Sequence, residues 1–216
     1  MPGPHDRLIA DAAKAVLRPL GFQRKGRSRL WFADHSWWLA VVEFQPSSWS
    51  KGSYLNVAAH WLWTDIGTIS FDFGGRVEGF EEYSSDEQFA TAAARLAVTA
   101  AEEAQRLTTT FSSLSATAKV LLTDARSQTR PASGHPGWTA YNAGVAAGLV
   151  GRTDDATEMF GSVLDGPTDP TSVLHRAADH MSKLASDPTQ LRREVVSIIQ
   201  HQRDTLRLPP EGASPF

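Results

Sequence analysis

Polar side chains on two predicted strands are the residues of this sequence best suited to chemistry. Side chains alternate between the two faces of a strand, so runs 37–45 and 54–63 can each present a polar set to one sheet surface. That set is Glu43, Gln45, Asn56 and His60. A carboxylate and an imidazole within hydrogen-bond reach can perform general acid–base catalysis. Glu43 and His60 are therefore the candidate catalytic residues.

Neighbouring residues could bind a substrate at the same surface. Arg24 and Lys25 enter it from the preceding strand and could hold an anion, while Ser47 follows in the next loop. One hypothesis is thus an enzyme acting on a small anionic substrate, with Arg24 as the anion clamp. The alternative is purely structural, because antiparallel sheets often keep one face hydrated.

Six of the seven tryptophans lie between residues 31 and 63. Alternation assigns Trp38, Trp61 and Trp63 to apolar faces, where we expect them in the core. Trp37 and Trp49 fall on the polar face or in a loop. Exposed aromatic side chains there would suit an interface anchor or a stacking platform.

Nucleic-acid binding is a third hypothesis. It rests on a short basic run on an early strand, made of Arg24, Lys25, Arg27 and Arg29. The formal net charge of −3 argues against it, because nucleic-acid binders normally carry a basic excess. Charges that guard an edge strand against aggregation explain the same run.

No cofactor or metal site is predicted. The chain has no cysteine, which excludes disulfides, thiolate zinc sites and cysteine nucleophiles. His175 and His180 are five residues apart and do not share a helix face as an i, i+4 pair would. Phosphate-binding loops, nucleophile elbows and zinc-protease motifs are absent from the sequence.

The elements that must position these residues divide the chain into two halves. A helix is predicted over Leu8–Leu20, ended by Gly21, and a helix-rich region begins at Ser85. Between them alternation predicts strands over 29–33, 37–45, 54–63 and 69–73, with Gly74-Gly75 ending the last. The predicted class is α+β: an N-terminal helix packed on a four- to five-stranded antiparallel sheet, followed by an all-helical C-terminal half.

The helical half follows a Pro/Gly-rich linker at 130–137. We predict domains over 1–130 and 138–208 and a frayed tail over 209–216. The segment 148–160 resembles the turn of one tetratricopeptide repeat, in which a small residue and a phenylalanine on the second helix pack against the first helix. Asp169-Pro170 and Asp187-Pro188 predict two further helix starts.

A family resemblance is carried by the first half. The segments Gly21–Arg27, Val42–Trp49 and Tyr54–Val57 resemble a bacterial family of unknown function, the one numbered 4304. The resemblance spans about residues 8–80 and implies a leading helix followed by a curved antiparallel sheet. It implies no activity.

These observations favour a protein-binding module of a regulatory or toxin-neutralising type over the enzyme and nucleic-acid alternatives. Its binding residues would be Arg24, Lys25, Trp37, Gln45, Ser47, Trp49 and Asn56. No apolar run approaches membrane length, and charged residues near position 1 lead us to expect no secretory signal. The arginine-rich composition is typical of a GC-rich genome. The sequence therefore predicts a cytoplasmic bacterial protein without membrane association.

Overall fold

The computed structural model describes residues 3–127, 136–209 and 216. One antiparallel sheet has its strands in chain order. They are β1 Gln23–Arg24, β2 Leu30–Asp34, β3 Trp38–Gln45, β4 Gly52–Trp61 and β5 Phe73–Glu82. The helices are α1 Pro4–Leu17, α2 Asp86–Thr110, α3 Leu114–Arg126, α4 Pro136–Leu149, α5 Thr153–Leu164, α6 Val173–Leu184 and α7 Pro188–Leu206. The predicted α+β class is confirmed.

Helix α1 begins four residues before its predicted start. The Gly3 backbone N–H donates to the Asp6 carboxylate at 2.8 Å, and proline occupies the first helical position. A 3-10 turn, Arg18–Leu20, extends the helix to Gly21, whose left-handed φ of 84° ends it as predicted.

The predicted bounds of the last strand are wrong. The prediction was a strand over 69–73 that ends at Gly74-Gly75, whereas β5 begins at Phe73 and continues through both glycines. Gly74 has a φ of 112°, and a Cβ there would lie 2.6 Å from the Val57 carbonyl oxygen. Gly74 thus permits the close approach of β5 to β4, and the strand continues through both glycines.

The chain divides into two compact units. The first comprises Met1–His35, Leu39–Ala59 and Phe73–Thr109, which hold α1 and most of the sheet and of α2. The second comprises Ser36–Trp38, His60–Asp72 and Thr110–Phe216, which hold α3 to α7. The predicted linker at 130–137 and the tail at 209–216 fall largely outside the described residues.

Helix α4 is the central element of the second unit and is buried along most of its length. A Cβ on Gly144 would lie 2.7 Å from the Phe160 ring of α5, and one on Gly148 would lie 2.7 Å from Leu191 of α7. Phe160 on the second helix of this hairpin therefore packs against the first, and Ala156 on the same helix is also buried. The glycines bring neighbouring helices close to α4.

Of the two helix starts predicted at Asp-Pro pairs, one is correct and one is wrong. The Asp187 carboxylate caps α7 by accepting from the backbone N–H groups of Thr189 and Gln190. Helix α6 begins at Val173 and is capped by Ser172, not by Asp169. In the described part of the chain, no helix is long and apolar enough to cross a membrane.

Candidate functional site

Four side chains from three adjacent strands form a hydrogen-bonded group on one face of the sheet, here called the polar cluster: Glu43, Gln45, Asn56 and Arg76. The Asn56 Nδ2 group donates to Glu43 Oε2 and to Gln45 Oε1, each at 3.0 Å. Arg76 donates to Gln45 Oε1 at 2.6 Å and to Asn56 Oδ1 at 3.4 Å. The predicted grouping of Glu43, Gln45 and Asn56 is thus present in the structure.

The Arg76 guanidinium also lies over an aromatic ring. Its central carbon is 3.7 Å from the centre of the Tyr54 ring, which in turn contacts Phe80 with ring centres 5.0 Å apart. A guanidinium over an aromatic face is held by a cation–π interaction. The Glu43 carboxylate and the Arg76 guanidinium therefore belong to one hydrogen-bonded group, with the Asn56 amide between them.

His60 belongs to a different group. It is fully buried, and its Nδ1 atom lies 2.9 Å from both Ser70 Oγ and Asp72 Oδ2. Asp72 also accepts from the Trp61 backbone N–H at 2.8 Å and from the Ser70 hydroxyl at 2.6 Å. The expectation that His60 serves as an accessible base is corrected. Its bonds instead fix the segment between β4 and β5.

Burial along β3 explains why the predicted polar face separates into two parts. Leu39 and Val41, which share a face with Glu43 and Gln45, have no exposed surface. Glu43 and Gln45 themselves are half-buried. The face is covered toward the start of β3 and open toward its end, so only the latter part is a candidate surface site.

Three predicted binding residues make local contacts. Arg24 donates to the carbonyls of Ser28 at 2.6 Å and Arg27 at 3.1 Å, which closes its own turn. The Lys25 carbonyl accepts from the Ser28 hydroxyl. Ser47 Oγ accepts from the Trp49 backbone N–H at 3.1 Å.

The cation of the polar cluster is therefore Arg76, which the sequence reasoning missed. Arg76 is the one basic residue within the acidic stretch 65–87. A single basic residue among acidic ones was the sequence feature that could have indicated Arg76 as a site residue. Treating Gly74-Gly75 as the end of a strand hid the alternation that brings Arg76 beside Asn56.

Trp37 and Trp49, the two tryptophans predicted to be exposed to solvent, have opposite environments. Trp37 is only 8% exposed and stacks on Trp63 and Trp61, with ring centres 5.4 and 6.0 Å away. Its predicted exposure is wrong. Trp49, in the loop 46–51 between β3 and β4, is 94% exposed. Trp38 and Trp61 pack edge-to-face on Phe111 as core residues.

Residues 3–127, 136–209 and 216 contain no group of three or more histidine, aspartate or glutamate side chains that could hold a metal ion.

No curated protein and no solved structure matches the chain significantly. The polar cluster and the Trp49 loop both lie within a stretch that a family model does match. Residues 13–88 match the family described as Domain of unknown function (DUF4304), which confirms the resemblance of the first half to that family.

Proposed function

We propose that this chain is a protein-binding module and that the β3–β4 loop is its docking element. The observation that carries the proposal is the 94% exposure of the Trp49 side chain. Burying an indole releases a large apolar surface from water, and tryptophan is enriched among the residues that dominate binding energy at protein interfaces.

Hydrogen bonds hold the backbone of the loop that carries this indole. The Ser47 hydroxyl accepts from the Trp49 backbone N–H, and the Tyr83 backbone N–H donates to the Lys51 carbonyl at 2.9 Å. A loop whose backbone is already held loses less conformational entropy when it binds. The geometry suits an anchor that inserts into a pocket on a partner.

The surroundings of Trp49 carry charges of both signs. The register of β2 on β3 pairs Leu30 with Glu43, so the β1–β2 loop lies at the same end of the sheet as Trp49. That loop carries the exposed Arg27, and the Trp49 loop carries the exposed Lys51. The exposed Glu82 pairs with Gly52 at the same end. We therefore propose a protein partner that offers an apolar pocket with a rim of mixed charge.

The enzyme hypothesis has weaker support in this geometry. His60 is fully buried and hydrogen-bonded, and the Glu43 carboxylate accepts from Asn56. A general base needs access to the proton that it abstracts. The polar cluster instead stiffens the strands that hold the Trp49 loop.

Nucleic-acid binding is also less well supported. Arg24 is hydrogen-bonded to carbonyls of its own turn, and Arg29 is paired with the Asp6 carboxylate. Two of the four basic residues are thereby engaged within the chain. Phosphate neutralisation needs several accessible cations.

A module of this kind would act by occupying its partner, as a regulator or a toxin-neutralising protein does. We place it in the bacterial cytoplasm because its composition is rich in arginine and free of cysteine.

The proposal can be tested by capture from a lysate of the source cells, with the purified chain as bait. Wild-type protein, Trp49→Ala and Val98→Ala are compared, because Val98 is a 46% exposed apolar residue on α2. We expect a stoichiometric protein that wild type and Val98→Ala retain and Trp49→Ala loses. A partner held equally by all three variants would contradict the proposal, as would a complex that nuclease treatment dissolves.

A further inference from the structure

The second unit contains a cavity of about 300 Å³ that lies outside the polar cluster and the Trp49 loop. Its lining includes two carboxylates, from Asp65 and Glu194, and two aromatic side chains, from Trp138 and Tyr141. This volume is at the lower end of the range for small-molecule sites.

Tyr141 is the central observation. Its side chain is 98% buried by residue exposure and lines the cavity, yet no hydrogen bond joins its phenol oxygen to any residue that the structure describes. Burial, together with the negative charges of Asp65 and Glu194, raises the pKa of this phenol above its ordinary value. The hydroxyl group therefore borders the cavity as a polar group that a ligand can contact.

The two carboxylates differ in how they are held. The His180 Nε2 atom lies 2.9 Å from Glu194 Oε1 and links α6 to α7, so the Glu194 carboxylate has a defined position. Asp65 is exposed at the edge of the cavity and follows Trp63 and Thr64, whose side chains donate to Asn142 Oδ1 at 3.0 and 3.1 Å.

The other charged lining residue is Arg176. Its guanidinium donates to the Thr171 carbonyl on its own segment. The two carboxylates of Asp65 and Glu194 outnumber this single guanidinium in the lining.

We propose that this cavity binds a primary alkylammonium group, with Asp65, Glu194 and Tyr141 as the three acceptors for its N–H donors. An –NH₃⁺ group has three donors and no acceptor. The indole of Trp138, which meets the Tyr141 ring edge-to-face at 5.5 Å, provides an aromatic wall for the aliphatic stem. The proposal does not depend on the function proposed for Trp49.

Binding can be measured with protein labelled with 5-fluorotryptophan, by following the fluorine resonance of Trp138 during titration. That resonance is identified by its loss in Trp138→Phe. The probe is butylammonium, and pentanoate and tetramethylammonium are the controls. Pentanoate reverses the charge, and tetramethylammonium keeps the charge but has no N–H donor. We expect saturable binding of butylammonium and much weaker effects of both controls.

Two variants test the named acceptors. Tyr141→Phe removes only the hydroxyl group and should weaken butylammonium binding about five- to tenfold. Asp65→Asn should weaken it by about tenfold or more, because a charged acceptor is lost. Asp154→Asn makes the same charge change on an exposed residue away from the cavity and should bind like wild type. Thermal unfolding verifies that each variant is folded.

Nα-acetyl-lysine methylamide distinguishes the two sources of such a group. Tighter binding of this compound than of butylammonium would identify a lysine side chain, and the reverse order would identify a free amine. Either result supports the proposal. Absence of binding by both compounds would overturn it, as would pentanoate binding equal to that of butylammonium or wild-type affinity in Tyr141→Phe and Asp65→Asn.

Discussion

The guanidinium of Arg76 lies 3.7 Å above the ring of Tyr54, and both residues belong to the open end of the sheet face. The exposed Arg76 thereby stacks on an aromatic surface while it donates to Gln45 and Asn56. The result is a hydrogen-bonded patch at the base of the Trp49 loop.

Removal of the central amide should weaken the polar cluster. Asn56→Ala deprives Glu43 and Gln45 of a donor, so we expect the free energy of unfolding to fall by about 1–2 kcal/mol. Urea denaturation measures it, with the exposed Ser50→Ala as control. An equal effect of the two substitutions would show that the cluster contributes nothing to stability.

The Asp6–Arg29 pair should make stability depend on pH in acid. Although burial raises the pKa of the Asp6 carboxyl, hydrogen bonds from Arg29 and the Gly3 backbone outweigh it and hold that pKa below its ordinary value of 3.8. A pKa lowered by folding contributes stability above the unfolded value, and this stability is lost as pH falls through the folded value.

Asp6→Asn should therefore lose about 1–2 kcal/mol of stability at pH 7 and show a flatter decline below about pH 5. Denaturation curves between pH 7 and pH 2 measure this, with the exposed Asp11→Asn on the same helix as control. A parallel decline of Asp6→Asn and wild type would argue against the linkage.

Asp72 should be a major determinant of stability. Its carboxylate accepts from Trp61, Ser70 and His60, and an asparagine would direct an amide donor at one of these donors. We expect Asp72→Asn to lower the free energy of unfolding by about 2–4 kcal/mol. Asp11→Asn, the same change at an exposed aspartate of α1, should have little effect. Similar losses in both would contradict this role.

The glycine in the middle of α4 should not tolerate a methyl group. A Cβ on Gly144 would meet the Phe160 ring at 2.7 Å, so Gly144→Ala should cost about 1–3 kcal/mol. Gly161 in α5 has open space at its Cβ position, and Gly161→Ala should stabilise the protein by up to about 1 kcal/mol. Calorimetry should show melting temperatures that shift in opposite directions, and a shift in the same direction would refute the packing argument.

Local periodicity was sufficient for part of the fold and of the site. Strand alternation predicted that Glu43, Gln45 and Asn56 share a face, and the capping residue of α7 was readable from Asp187-Pro188. Arg76 was missed because consecutive glycines usually end a strand, whereas here Gly74 lets β5 approach Val57. The burial of His60 was missed because alternation does not reveal what covers a face. Trp37 was misplaced because it precedes β3 and stacks on Trp61 and Trp63.

The central claim is tested most directly by the affinity of the purified partner, measured by calorimetry at two salt concentrations. For Trp49→Ala we expect the dissociation constant to rise at least about 30-fold, as for an interface residue that contributes about 2 kcal/mol. Val98→Ala should leave it unchanged, and added salt should change wild-type binding little, because the charges around Trp49 are of both signs. A Trp49→Ala variant that binds as tightly as wild type would contradict the account.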